Sequence, residues 1–175
     1  MIDYTSTDSS SERLAAGYGG RFYGVYAAVV TRIFELDGQQ QGRVKVRLPW
    51  SPDANGDEYE VWARLATMMA GNNRGSWFIP DPGDEVLVAF EAGDTRRPYV
   101  VGMLWNGVDH PPEQMDPQEW NYLKTIRSRN GVRITMNDQD GQESLTLVTP
   151  AQQTIVLRDD PPSIEAQNAM ETSFA

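Results

Sequence analysis

The side chains of this sequence that could do chemistry are paired carboxylates, one histidine and a short strip of cations. Asp81 with Asp84, and Asp159 with Asp160, could be drawn as a hydrolytic couple, one carboxyl giving a proton while the other acts as base or nucleophile. Both pairs sit in Pro/Gly turns, where aspartate is favoured because its side chain bonds the local backbone. A catalytic couple also needs a cleft that fixes the carboxyl separation. The turn reading is the stronger, and no catalytic residue is expected.

His110 stands beside Pro111, without a His-x-His partner and without a cysteine anywhere in the chain. Three copies meeting on an axis could hold a metal ion, but a solvated histidine is the expected state. No metal site and no cofactor are expected. A Ser-His-Asp set cannot be built around one linker histidine. Gly17, Gly19 and Gly20 lack the Lys-Ser/Thr ending of a phosphate loop and read as a flexible joint.

The cationic strip is Arg43, Lys45 and Arg47, with Trp50, Trp62 and Trp77 near in sequence. Basic and aromatic residues together are the surface of single-strand nucleic-acid binders. Against this, Asp53, Asp57, Glu58 and Glu60 follow at once, and 25 acidic against 15 basic residues leave a net charge of -10. Such a field repels a phosphate backbone. The strip is expected to be a protein-contact face or a salt-bridged barrel exterior, with an OB-fold nucleic-acid-binding module as the alternative reading.

The elements that carry these residues are short strands. Val44, Val46 and Leu48 alternate with the three cations, the pattern of a half-buried strand. Further strand signals cover Tyr23 to Arg32, Tyr59 to Leu65, Glu85 to Glu91 and Pro98 to Trp105. Asp37-Gly38, Asn55-Gly56, Pro82-Gly83 and Gly93-Asp94 supply turn chemistry between them. Five short strands in about 85 residues predict an OB-type barrel over residues 22–106. Residues 1–21 read as a flexible arm. Residues 107–122, with Pro111, Pro112 and Pro117, read as a stiff, extended linker.

From residue 123 to 175 strand signals recur at Val132 to Met136, Leu145 to Val148, Thr154 to Leu157 and Ser163 to Ala166. Their apolar centres Ile134, Leu145, Ile155 and Ile164 step by about ten residues, a near-repeat of strand and turn. A single layer of such strands buries too little to offset its ordering entropy, and it exposes sheet edges. Closing the layer with identical chains around a threefold axis solves both problems. Ile134, Leu145, Leu147, Ile155, Leu157 and Ile164 are then expected to line the trimer axis.

No apolar run approaches the ~18 residues that span a bilayer. Met1 to Ser11 lacks the pattern of a secretion signal, and the absence of cysteine permits folding in a reducing cytoplasm.

In order along the chain, several segments resemble one family. They are Gly24-Val25-Tyr26-Ala27-Ala28-Val29-Val30, Gly42 to Trp50, Trp62-Ala63-Arg64-Leu65-Ala66, Gly71 to Pro80, Gly83 to Phe90, Gly93-Asp94 with Pro98, and Gly102-Met103-Leu104-Trp105-Asn106. The family is the central spike of contractile injection machines: baseplate assembly protein V of phages and the spike half of VgrG. A looser likeness continues through Lys124 to Gly131 and Asn137 to Leu147.

The resemblance implies an all-β, non-enzymatic protein, an OB-fold barrel followed by a trimeric β-helix or β-prism needle. It implies a seat beneath a hub and inner tube, and assembly in the bacterial cytoplasm into a phage tail or tail-like particle that acts outside the cell. The implied partners are two further copies of the chain, a hub or baseplate protein above, a PAAR-type tip protein below, and transiently the target membrane. VgrG proteins carry a hub before the barrel, so the hub is expected to be a separate polypeptide. Related needles sometimes bind metal through a His-x-His pair near the tip, which this sequence lacks after His110.

Overall fold

The structure is a computed structural model and describes residues 21–34, 42–52 and 58–168. The expected N-terminal arm with its glycines, the Asp37-Gly38 and Asn55-Gly56 turns, Asp53, Asp57 and the residues from 169 onward lie outside the described residues. Apart from one 3-10 turn, Glu91–Gly93, the described elements are all strands. The chain divides between His110 and Pro111 into two compact units, within the segment read as a linker.

The first unit is a closed barrel of β1 (Val25–Arg32), β2 (Arg43–Pro52), β3 (Glu58–Leu65), β6 (Glu85–Phe90) and β7 (Pro98–Leu104), in spatial order β1-β2-β3-β7-β6. Its neighbours run antiparallel except for a short parallel pairing of β3 with β7, where Arg64 faces Tyr99 and Leu65 faces Val100. Pairing of β1 with β6 completes the ring. This is the five-stranded Greek-key barrel of an OB-fold. A small hairpin, β4 (Ala70–Gly71) and β5 (Arg74–Gly75), projects from the connection between β3 and β6.

The barrel follows from alternation. Val44, Val46 and Leu48 are wholly buried, and they meet Ala28, Val30, Ala63, Val86, Val88 and Val100 in one core. The cations between them point out, as the period of two requires. Arg21 and Phe22 are tied to the loop after β6: the Phe22 amide donates to the Gly93 carbonyl at 2.9 Å, and the Arg21 guanidinium to Ala92 at 2.9 Å. Gly93 has φ +76, and a Cβ there would lie 2.9 Å from the Arg21 Cβ, so only glycine lets this segment close down.

The second unit carries a five-stranded antiparallel meander: β8 (Leu123–Arg127), β9 (Arg133–Asn137), β10 (Ser144–Val148), β11 (Thr154–Asp159) and β12 (Pro162–Gln167). Strand β8 extends the sheet by one strand beyond the sequence reading. Tight turns fix the register. The Asn137 side-chain oxygen accepts from the Gln139 amide at 3.1 Å, and Gly141 takes φ +72. The segment before β8 is not extended throughout: the Asp116 carboxylate accepts from the Gln118 amide, and the Asp116 carbonyl from Glu119, both at 2.9 Å. Pro117 lies in this turn.

Candidate functional site

On the barrel, the cationic strip is largely neutralised from within. Lys45 Nζ lies 2.7 Å from Glu60 Oε2, and Arg47 Nη1 lies 2.6 Å from Glu58 Oε2. The register that opposes Arg47 to Glu60 puts each cation one diagonal step from its carboxylate on β3. The hydrogen bond from Lys45 holds the Glu60 carboxyl below its usual range, with partial desolvation opposing and the Thr31 hydroxyl assisting. A nucleic-acid phosphate would have to displace these partners, so the structure favours the salt-bridged exterior.

The tryptophans singled out for stacking part company. Trp50 is half-buried, its indole N–H donates to the Ala27 carbonyl at 2.7 Å, and its ring lies 4.8 Å from Tyr26 and 5.1 Å from Phe22. With Phe90, 5.8 Å from Tyr26, these rings form an aromatic cluster packed on the core. Trp62 faces Lys45 across the β2–β3 pair and is half-buried, whereas Trp77 is exposed. No continuous stacking platform results.

The carboxylate pairs are turns. Asp84 accepts from the Asp81 amide at 2.7 Å while its own amide donates to the Asp81 carbonyl at 3.0 Å. Burial first, and the negative charge of Asp109 second, push the Asp84 carboxyl up. Asp159 ends β11, opposite Pro162 of β12, and Asp160 lies in the turn that joins them. His110 is exposed, and among the described residues no three His, Asp or Glu side chains gather closely enough to hold a metal ion.

The meander places all six expected axis residues on one face. Two rows cross the sheet: Ile126, Ile134, Leu147, Ile155 and Ala166, and beside them Lys124, Met136, Leu145, Leu157 and Ile164. The equal-step set Ile134, Leu145, Ile155 and Ile164 is therefore split between rows, because an antiparallel meander reverses direction at every turn. Ile126 and Met136 belong to the same face and were missed. Their signal was the step of eight from Ile126 to Ile134, which continues the series backward. The opposite face carries Thr125, Thr135, Thr146, Val156 and Glu165 in one row. Arg158 pairs with Glu165 across β11 and β12 at 2.6 Å.

Among the described residues nothing covers the apolar face. Ile126, Ile134, Met136, Leu145, Ile155 and Leu157 are all exposed, and Ile164 on the edge strand is 80 % exposed. None of the described residues beyond His110 is fully buried. Soluble monomers rarely leave so contiguous an apolar surface in water.

The described chain is therefore a closed OB-type barrel followed by a sheet with one exposed apolar face. Residues 26–105, which hold the barrel strands from Tyr26 on, match the family model of the type VI secretion system/phage-baseplate injector OB domain. The chain is 32 % identical over 133 residues to the type VI secretion system spike protein VgrG1b of Pseudomonas aeruginosa, an overlap covering 72 % of this chain and 18 % of that protein. It is 34 % identical over 121 residues to VgrG2a of the same organism, 66 % of this chain and 14 % of the relative. A 29 % match over 117 residues, 65 % of this chain and 11 % of the relative, is to the actin cross-linking toxin VgrG1 of Vibrio cholerae. The chain is thus VgrG-like, a relative of contractile-injection spikes, and spans no more than about a fifth of the length of these curated relatives.

Proposed function

We propose that this protein is a non-enzymatic, membrane-piercing spike component of a contractile injection particle, assembled as a homotrimer. The observation that carries this reading is the bare apolar face of the meander. Three such sheets turned inward wall a triangular prism, with Ile134, Leu147 and Ile155 in one layer and Leu145, Leu157 and Ile164 in the next. An antiparallel meander suits a β-prism wall better than a solenoid of equal coils. The face offers on the order of 500 Å² of apolar surface per chain, worth roughly 10 kcal/mol once removed from water. The row on the other face, Thr125, Thr135, Thr146, Val156 and Glu165, is half-buried, and the Thr125 hydroxyl donates to Glu113 at 3.0 Å.

The mechanism is mechanical. The chains of a prism must come apart together before any one unfolds, so resistance to force is kinetic. Contraction drives the tube forward and the narrow needle concentrates that force on a small membrane area. The barrel seats under a hub and inner tube, a PAAR-type protein caps the tip, and the strip Arg43, Lys45 and Arg47 meets neighbouring protein with its ion pairs in place. The particle is assembled in the bacterial cytoplasm and acts outside the cell.

Changing Leu147→Asp or Ile155→Asp places three charges on the axis and should abolish the trimer while leaving the barrel folded. Light scattering on either variant decides this, and a trimeric mass would refute the reading. The alternative of a nucleic-acid-binding module requires salt-sensitive oligonucleotide affinity in the wild type, which the net charge of -10 and the paired strip disfavour.

A further inference from the structure

The β4–β5 hairpin is flanked on both sides by exposed large apolar side chains. Met68 is 89 % exposed, Trp77 74 %, Phe78 57 % and Met69 55 %. Four large apolar side chains at these exposures leave on the order of 500 Å² in water, at the upper end of what a monomer tolerates.

The arm that holds them is well built. Its base is anchored by the Ala66 amide donating to Val100 at 2.9 Å, and the Ser76 amide donates to Met69 at 2.9 Å. The Thr67 and Ser76 hydroxyls lie 2.6 Å apart, and Thr67 also donates to the Ser76 carbonyl at 2.9 Å. Gly75 has φ +154, and a Cβ there would stand 2.6 Å from the Met69 carbonyl oxygen, so the close crossing of the two strands requires glycine. A hairpin tied this firmly presents its apolar side chains in a set geometry.

Its charge is also unusual. Between Glu60 and Asp81 no acidic residue occurs, although the chain carries 25, and the only charge on the hairpin is Arg74. A complementary patch lies on the same barrel. After β7 the chain turns sharply: Asn106 Oδ1 accepts from the amides of Val108 and Asp109, both at 2.8 Å, leaving Val108 75 % and Trp105 65 % exposed. Asn106 Nδ2 donates to Glu85 and to Asp109, each at 3.1 Å, which fixes two carboxylates in this corner.

We infer that the hairpin of one protomer seats on the Trp105 corner of the next, Met68, Trp77 and Phe78 covering Trp105 and Val108 while Arg74 meets Glu85 and Asp109. The two patches differ, so the contact is head to tail; such a contact closes into a ring or runs on as a filament, and the threefold axis of the meander selects the ring. The inference rests on the trimeric reading above and adds a second trimer interface, at the level of the barrels. A second copy is the occupant because it alone is certain to bring the acidic, apolar corner that an acid-free apolar arm fits. An anionic lipid surface would repel a chain of net charge -10.

The absence of native cysteine makes a clean test. Ala70 on the arm and Gly107 at the corner are exposed, and a Cβ at Gly107 meets nothing within 4 Å. Full-length chains carrying Ala70→Cys alone are co-expressed with chains carrying Gly107→Cys alone and treated with a short bis-maleimide. Because each chain has one thiol, a 70–107 link can only join two chains. A prominent 70–107 cross-link, reduced about fivefold by Arg74→Glu and restored by adding Asp109→Lys, is the expected result. A trimer by light scattering with no such link would overturn the arm contact and leave the spike reading standing, the arm then facing a hub protein or a membrane. A monomer would overturn both.

Discussion

The barrel and the meander are each five strands, yet the barrel buries a full core and the meander, among its described residues, buries none completely. The difference is closure. In the barrel, β1 pairs with β6 and the two ends of the sheet meet, so alternate side chains converge on one interior. In the meander β8 and β12 remain edges, and among the described residues the apolar face has no second layer. The same period-two sequence grammar thus gives a closed core in one case and a sheet with an exposed apolar face in the other.

This contrast predicts different kinds of failure. The largest effect is expected for Leu147→Ala. A trimer loses the same methylenes three times, at about 2–5 kcal/mol per site, so stability should fall steeply and depend on protein concentration. Leu48→Ala, at a wholly buried position, should cost about 3 kcal/mol and do so independently of concentration. Denaturant titrations at two protein concentrations separate the two behaviours, and a concentration-independent midpoint for the Leu147 variant would break the comparison. Trp50→Phe keeps one aromatic ring but gives up part of the packing and the hydrogen bond to Ala27, so roughly 1–3 kcal/mol is expected from barrel unfolding.

The smallest effect concerns charge. Glu60→Gln removes the ion pair with Lys45, and the partly exposed setting limits its contribution to under about 1 kcal/mol at neutral pH. The folded-state pKa of Glu60 is depressed. Its contribution is therefore present above the unfolded pKa and is lost as pH falls through the lower folded value. The stability difference between wild type and Glu60→Gln should vanish in acid and shrink with salt. A difference that grew toward low pH would contradict the assigned pairing.

How much of this could be read from the sequence depended on how local each feature was. Val44, Val46 and Leu48 alternate with cations over a handful of residues, and all three are in the core. The six apolar positions of the meander were legible because turn residues at Asp138–Gly141 and Asp160-Pro161 pin each strand's phase. The row structure was not, since equal forward steps cannot distinguish a coil from a meander that reverses. Strand β8 escaped because Ile126 is flanked by Thr125 and Arg127, with little alternation to notice. The β4–β5 arm has no apolar period at all in Ala70-Gly71 and Arg74-Gly75; its only trace was the acid-free run from Val61 to Pro80. The docking of Phe22 against Trp50 and Phe90 joins residues far apart in sequence, and nothing local announces it.

The central claim is that the meander is finished by other copies of the chain. The most direct test is the solution mass of the intact wild-type protein, by light scattering across a dilution series. The account predicts a species of three times 19.6 kDa that persists on dilution. A stable single-chain mass with β8 to β12 still folded would contradict it.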